Sequence, residues 1–333
     1  MKIPVSPFTG KPMRLVYEPE TMKFRGEAFK CMYASFHDDE SGESFTTSES
    51  DAVWYNQVTN QYRAKYGIPY TDEIIAVRNR YGISASKMSL ILGIGINQYR
   101  LYEQGEVPSV SNGRMIRSIM NPKVMLEMVE SSKNELSTTD YHKIVKKLKD
   151  MISDGETYKL YQYKIHQVFD MPRCAENGYA QLSLDRLKNV MLYFIEKCHG
   201  VFFTKMNKLL FYSDFLSYRM TGRGMTGLGY KAIKHGPVPV RWDRIYSFYD
   251  EIHQEIVVFS DGREGTMLTS NISSDLSDFS EEEQKILESI YLRFKNESPS
   301  QISETSHHEE AWKQYIDSGQ LISFEKAFDL KAL

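Results

Sequence analysis

Three cysteines in 333 residues, Cys31, Cys174 and Cys198, are too few and too scattered for a disulfide framework. Such sparse thiol usage fits a reducing compartment. No run of about 18 apolar residues occurs, so no membrane span is expected. The opening MKIPVSPFTGK has no apolar stretch of the kind a secretion signal needs, and a cytoplasmic location is the expectation. Proline is scarce, at 11 residues, and 41% of the chain is hydrophobic, which excludes a largely disordered protein. A strong net charge is missing too: at −3, any contact with a polyanion must be local. Catalytic signatures are also absent, with no convincing triad, paired carboxylates or activated cysteine. An enzyme is not expected, and neither is a cofactor.

What is present is unevenly distributed. Residues 71–120 carry six basic and four acidic side chains, whereas 275–310 carry three basic and ten acidic. One polyanionic partner and one different partner would suit such a chain. Its length suggests several domains with substantial cores.

Residues 84–109, SASKMSLILGIGINQYRLYEQGEVPS, hold the most informative pattern. Ala85, Met88, Ile91 and Leu92 recur at helical spacing and leave Ser84, Ser86 and Lys87 outside. Gly93 ends that helix where a left-handed residue is needed. A second helix over Gly95–Gln104 would bury Tyr99 and Tyr102 and expose Asn97, Gln98, Arg100 and Leu101. Amides and a guanidinium on the second helix of a tight pair suit base edges in a major groove, and a homodimer on a palindrome follows from two-fold symmetry. An ordinary helical hairpin is the plainer alternative.

Two tetrapeptides near the start, Ser6–Thr9 before Gly10 and Asp38–Ser41 before Gly42, have the spacing of zinc knuckles with every cysteine replaced. Hydroxyls and one carboxylate do not make a tetrahedral thiolate site, so no metal is expected and the knuckles would persist as turns. Short strands and turns are expected over 1–70, leading into a helix near Ser50–Tyr66. Helices follow at Asp72–Tyr81, Asn112–Met120 and Leu126–Lys149.

A second globular part begins near residue 181. Lys205–Arg219 is apolar on several sides and reads as a buried central helix. Strand signals follow at Tyr230–Lys234, with a hairpin over Glu255–Thr269 turning near Asp261-Gly262. Ser280–Glu283 and Ser306–Glu309 read as capping boxes that open helices. Gly222–Gly227 spells G-x-G-x-x-G, but a helix precedes it and an extended segment follows, the reverse of the dinucleotide context. His307 and His308 read as residues of a helix amino terminus, not metal ligands. His235–Pro239 reads as a rigid exposed loop.

Several of these segments resemble known families. GESFTTSESDAV (42–53), the two ligand-less knuckles and GIGINQYRLYEQGEVPS (93–109) resemble the amino-terminal half of an MqsA-type antitoxin in a branch without zinc ligands. The stretch from Thr204 to Pro239, with SETSHHEEAW (303–312) and ISFEKAFDL (322–330), resembles the Panacea (SocA-like) domain. This likeness implies a multidomain α+β, helix-dominated protein. Its parts would be a zinc-ribbon-like module over 1–70 and a helix-turn-helix domain over 71–135. A helical connector over 136–180 and a toxin-neutralising domain over 181–333 would follow.

The implied function is that of a type II antitoxin, binding a cognate toxin and its own promoter DNA. In the MqsA pattern an arginine directly precedes the Tyr-Glu pair; here Leu101 holds that place and Arg100 lies one position earlier. Candidate toxin contacts are Asp214 and Tyr218 on a polar helix face, and Lys234, His235 and Pro237 in the loop. A ligand-responsive regulator and a proteolytic adaptor are the alternative functions.

Overall fold

Two strands of 11 residues each, β1 (Arg14–Phe24) and β2 (Glu27–His37), open the computed structural model, which describes residues 3–153, 171–259 and 262–333. They pair antiparallel from Arg14↔His37 to Phe24↔Glu27. The two-residue loop between them, Arg25-Gly26, has positive φ at both positions, a turn whose twist matches that of the strands. Short strands were expected here, and the charges and Pro19 in β1 conceal the long one. Pro19 is tolerated because β1 is the edge of the three-stranded sheet that β3 (Ser44–Phe45) completes.

The two knuckles meet at the base of this hairpin. Ser6 Oγ donates to Asp38 Oδ2 at 2.5 Å and Thr9 Oγ1 to the same oxygen at 2.9 Å. The amides of Glu40 and Ser41 donate to Asp38 Oδ1 at 3.0 and 3.4 Å. A carboxylate ringed by donors thus ties the two turns together. Among the described residues no group of three or more His, Cys, Asp or Glu could hold a metal ion.

Chain contacts divide the molecule into one unit of Met1–Val58 and Gln167–Leu333, and another of Thr59–His166, with the boundary inside α1 (Ser48–Tyr66). The second unit holds α2 (Thr71–Tyr81), α3 (Ala85–Ile91), α4 (Gln98–Glu103), α5 (Val110–Ser118), α6 (Pro122–Ser131) and α7 (Thr138–Ser153). Their inward faces share one core that includes Ile74, Tyr81, Met88, Tyr99, Ile116, Met125 and Leu148. Leu126–Lys149 is not one helix. Ser132 Oγ turns back to the Met128 carbonyl at 3.0 Å, and Ser137 Oγ accepts from the Asp140 amide at 3.1 Å to start α7 afresh. Positions 154–170 of the expected connector lie outside the described residues, as does Asp261 of the expected hairpin turn.

The remainder of the first unit runs α8 (Leu184–Cys198), β4 (Val201–Phe202), α9 (Phe203–Thr221), β5 (Tyr230–Ile233), β6 (Gly236–Pro239), α10 (Trp242–Ile245), β7 (His253–Val258), β8 (Glu264–Thr269), α11 (Glu281–Phe294), α12 (Pro299–His307) and α13 (Glu310–Lys313). A 3-10 turn at Phe324–Asp329 follows. Strand order in the larger sheet is β4-β8-β7, and β5 and β6 pair by themselves. The amino-terminal hairpin belongs to this packing, with the Tyr17 ring 5.1 Å from that of Phe328.

Ser280 and Glu283 form the expected capping box of α11. Ser306 does not open a helix. It lies in the last turn of α12, its Oγ donating to Ser303 O at 2.7 Å, and the cap of α12 is Ser298 with Gln301. His307 and His308 therefore sit at the carboxyl end of that helix. Among the described residues no helix is long and apolar enough to cross a membrane.

The Asp38 cluster generates a test with its sign fixed. Hydrogen bonding, led by Ser6 Oγ, holds this carboxyl well below the usual carboxylate range. Its stabilisation is therefore present above the unfolded pKa of about 3.9 and is lost as pH falls through the folded value. Asp38→Ala should lower the melting temperature at neutral pH, with the gap to wild type closing in acid and a chelator changing neither protein. A gap independent of pH would contradict this role.

Candidate functional site

Helix α9 is the axis of the carboxyl-terminal part, and every residue from Lys205 to Tyr218 on it is buried. Helices α8, α11 and α12, strand β6 and the Phe324–Asp329 turn all pack on it. It therefore has no wet side, and its polar residues must find partners inside.

Asp214 finds four. Its Oδ1 accepts from the amides of Met225 and Thr226, both at 2.7 Å. Its Oδ2 accepts from Thr226 Oγ1 and from the Tyr230 hydroxyl, both at 2.5 Å. Burial pushes the carboxyl upward from its ordinary value, while the donors on Thr226, Tyr230 and Met225 pull it back. The segment after α9 is thus folded onto the helix it has just left and is delivered directly into β5.

The glycines of Gly222–Gly227 serve the same fold-back. Gly222 is the left-handed cap of α9, and a Cβ there would stand 2.9 Å from the Val53 carbonyl of α1. At Gly227, with φ +83, a Cβ would stand 2.4 Å from the Leu182 amide. Close backbone packing accounts for the motif without a nucleotide.

The exposed helix face expected for Asp214 and Tyr218 does not exist. Tyr218 is buried with its ring against Phe324 and Phe328. Nor is His235–Pro239 a free ridge. Lys234 and His235 are exposed at a turn, but Gly236, Pro237, Val238 and Pro239 are the buried strand β6, paired with β5 from Tyr230↔Pro239 to Ile233↔Gly236. Prolines fit there because β6 is an edge strand of a two-stranded ribbon.

In the second unit α3 and α4 are joined by a turn through Gly93, φ +62. Helix α4 is shorter than its sequence suggests: Gly95–Asn97 form a turn and Asn97 is the residue before the first helical one. Tyr99 and Tyr102 are buried as expected; the Tyr99 hydroxyl donates to Ile74 O at 2.9 Å and its amide to Ser89 Oγ at 3.0 Å. Asn97, Arg100 and Leu101 are exposed, while Gln98 is half-buried with its amide on Glu106 at 3.0 Å. Ser84 caps α3 through the Lys87 amide at 3.4 Å, and Ser86 Oγ lies 3.2 Å from Ser84 Oγ. Lys87 Nζ is paired with Asp140 of α7 at 2.6 Å. An ion pair between Arg78 and Glu103 at 2.5 Å fixes the end of α4 against α2.

Residues 206–313 match the family model described as antitoxin SocA-like, Panacea domain. The match starts in α9 and ends at Lys313, the last residue of α13, so it encloses the Asp214 cluster, the β5–β6 ribbon and helices α11 and α12. No curated protein and no solved structure matches the chain.

Removing the carboxylate from this cluster strands four buried donors at once. Asp214→Ala should cost roughly 3–5 kcal/mol of stability, measurable by urea unfolding. A loss under about 1 kcal/mol, the size of a single ordinary hydrogen bond, would show that Asp214 does not organise the segment.

Proposed function

We propose that the chain is the antitoxin of a type II toxin–antitoxin pair. The observation that carries this reading is the match of residues 206–313 to an antitoxin domain, over the stretch that the Asp214 cluster folds into one body. In this reading residues 181–333 bind the toxin directly, and residues 71–135 bind the operon's own promoter as a helix-turn-helix.

The second role draws support from the division of α4 into two faces. Tyr99 and Tyr102 anchor it inward, and Arg78 locks its end. Asn97 and Arg100 are left exposed, with Asn97 at its amino end, the part of a recognition helix that meets base edges. Ser84 and Ser86 at the start of α3 suit phosphate oxygens. Lys87 would reach phosphate only by giving up Asp140. A homodimer on a palindromic operator follows from this use of the helix pair.

Co-expression with the product of the neighbouring gene tests the first role. The full chain should restore growth and co-purify with that product, and failure of both would refute the antitoxin reading. Promoter binding tests the second: Asn97→Ala should weaken the specific site by about 1–3 kcal/mol while leaving growth rescue intact. An Asn97→Ala protein that shifts the promoter fragment at wild-type concentrations would remove α4 from the groove.

A further inference from the structure

Two cavities in the carboxyl-terminal part run together. One, of about 650 Å³, is walled by Phe202, Phe203 and Phe259; the other, of about 340 Å³, ends at His307 and Glu304 on α12. They share Thr204, His235, Pro299 and Ser300 and so form one groove. Its aromatic end includes Phe259, just past β7, the last strand of its sheet, and that side chain is 40% exposed. An exposed aromatic side chain in a cleft walled by two further phenylalanines is a usual mark of a protein-binding surface.

The opposite end is basic and unsatisfied. Lys208 lies one turn beyond Thr204 on α9, wholly buried, and its Nζ has no hydrogen-bond partner. It fits only because residue 236 is glycine: a Cβ there would stand 2.5 Å from both Lys208 Cε and Ser306 Oγ. The Nε2 of His307 is also buried without a partner, while the ring stacks on Trp312 with centroids 4.1 Å apart. Buried polar atoms without partners are rare and costly, and one in the groove lining at His307 with another buried behind it at Lys208 calls for a ligand that accepts hydrogen bonds. Burial holds Lys208 down at about 7, and burial with Lys208, His235 and His308 nearby holds His307 down against the opposing pull of Glu304.

We propose that this groove is where the toxin docks, an apolar side chain of its segment entering the aromatic end beside Phe259 and a carboxylate reaching His307, with Lys208 behind it as counter-charge. The identity of the partner rests on the antitoxin reading above; the apolar-plus-acidic chemistry rests on the groove. In a poorly hydrated end the counter-charge acts at low effective dielectric, so the carboxylate raises the proton affinity of Lys208 and binding takes up a proton. Glu304 is the acidic group lining this end and opposes the incoming carboxylate.

The test uses the full chain and its Lys208→Met, Phe259→Asp and Glu304→Gln variants with two probes, the neighbouring gene product and a phage-displayed library of random peptides. Selected peptides should pair an apolar residue with a nearby Asp or Glu. Lys208→Met and Phe259→Asp should each weaken toxin binding roughly tenfold or more, and Glu304→Gln should tighten it. Calorimetry about one unit above the Lys208 value should show proton uptake in wild type that Lys208→Met abolishes. The melting temperature of Lys208→Met should not fall, because an apolar side chain of similar length replaces an unpartnered amine. A toxin bound equally by wild type and both weakening variants overturns the groove and leaves the antitoxin reading standing. A toxin that ignores wild type overturns the antitoxin reading, and a library without acidic-apolar enrichment then overturns the groove as well.

Discussion

The Asp214 carboxylate, buried in the middle of α9 and held by two amides and two hydroxyls, is the interaction on which the carboxyl-terminal architecture depends. A helix buried all round leaves the following chain no apolar face to choose, since each side of it is equally attractive. The carboxylate makes the choice. It fixes where Met225 and Thr226 return, and through the Tyr230 hydroxyl it fixes where β5 starts. From β5 the consequences run outward. The β6 strand is positioned over Lys208, the Ile322 amide reaches the Tyr230 carbonyl at 2.8 Å, and Trp312 Nε1 reaches Ile233 O at 2.8 Å.

A second buried carboxylate closes the other end of the same assembly. Glu309 accepts from the amides of Lys331 and Ala332 at 2.8 and 3.1 Å and from the Tyr212 hydroxyl at 3.2 Å. Asp214 and Glu309 are thus both satisfied, whereas Lys208 on the same central helix is not. That contrast separates the carboxylates that hold the fold from Lys208, whose amine takes no part in holding it.

Much of the local structure was legible because it rests on short-range chemistry. The α3–Gly93–α4 pair, the buried tyrosines of α4, the central helix and the Ser280 capping box all follow from spacing and capping residues within a few positions. What failed depends on distant partners. By spacing alone Asp214 and Tyr218 form a polar face, because nothing in the sequence of α9 tells which carboxylate will be met by amides eleven and twelve residues later. Ser306 looked like a cap, but Ser298 with Pro299 behind it starts the helix and Ser306 ends it. The long β1–β2 hairpin was obscured by Pro19, which only an edge strand accepts. That the knuckles persist as turns was legible in their glycines, though the hydrogen bonds that draw Ser6, Thr9 and Asp38 together were not. Lys208 gave a signal that went unused: a lysine within a run buried on every side.

The proposed division of labour assigns toxin contact to the body organised by Asp214 and DNA contact to the face of α3 and α4. Hydrogen–deuterium exchange of the full chain, alone, with the neighbouring gene product and with promoter DNA, tests that division most directly. Added protein should protect residues 253–259 and 298–307 and leave 84–101 unchanged, while promoter DNA should do the reverse. Protection of 84–101 by the protein partner, with 253–259 and 298–307 exchanging as in the free chain, would contradict the account.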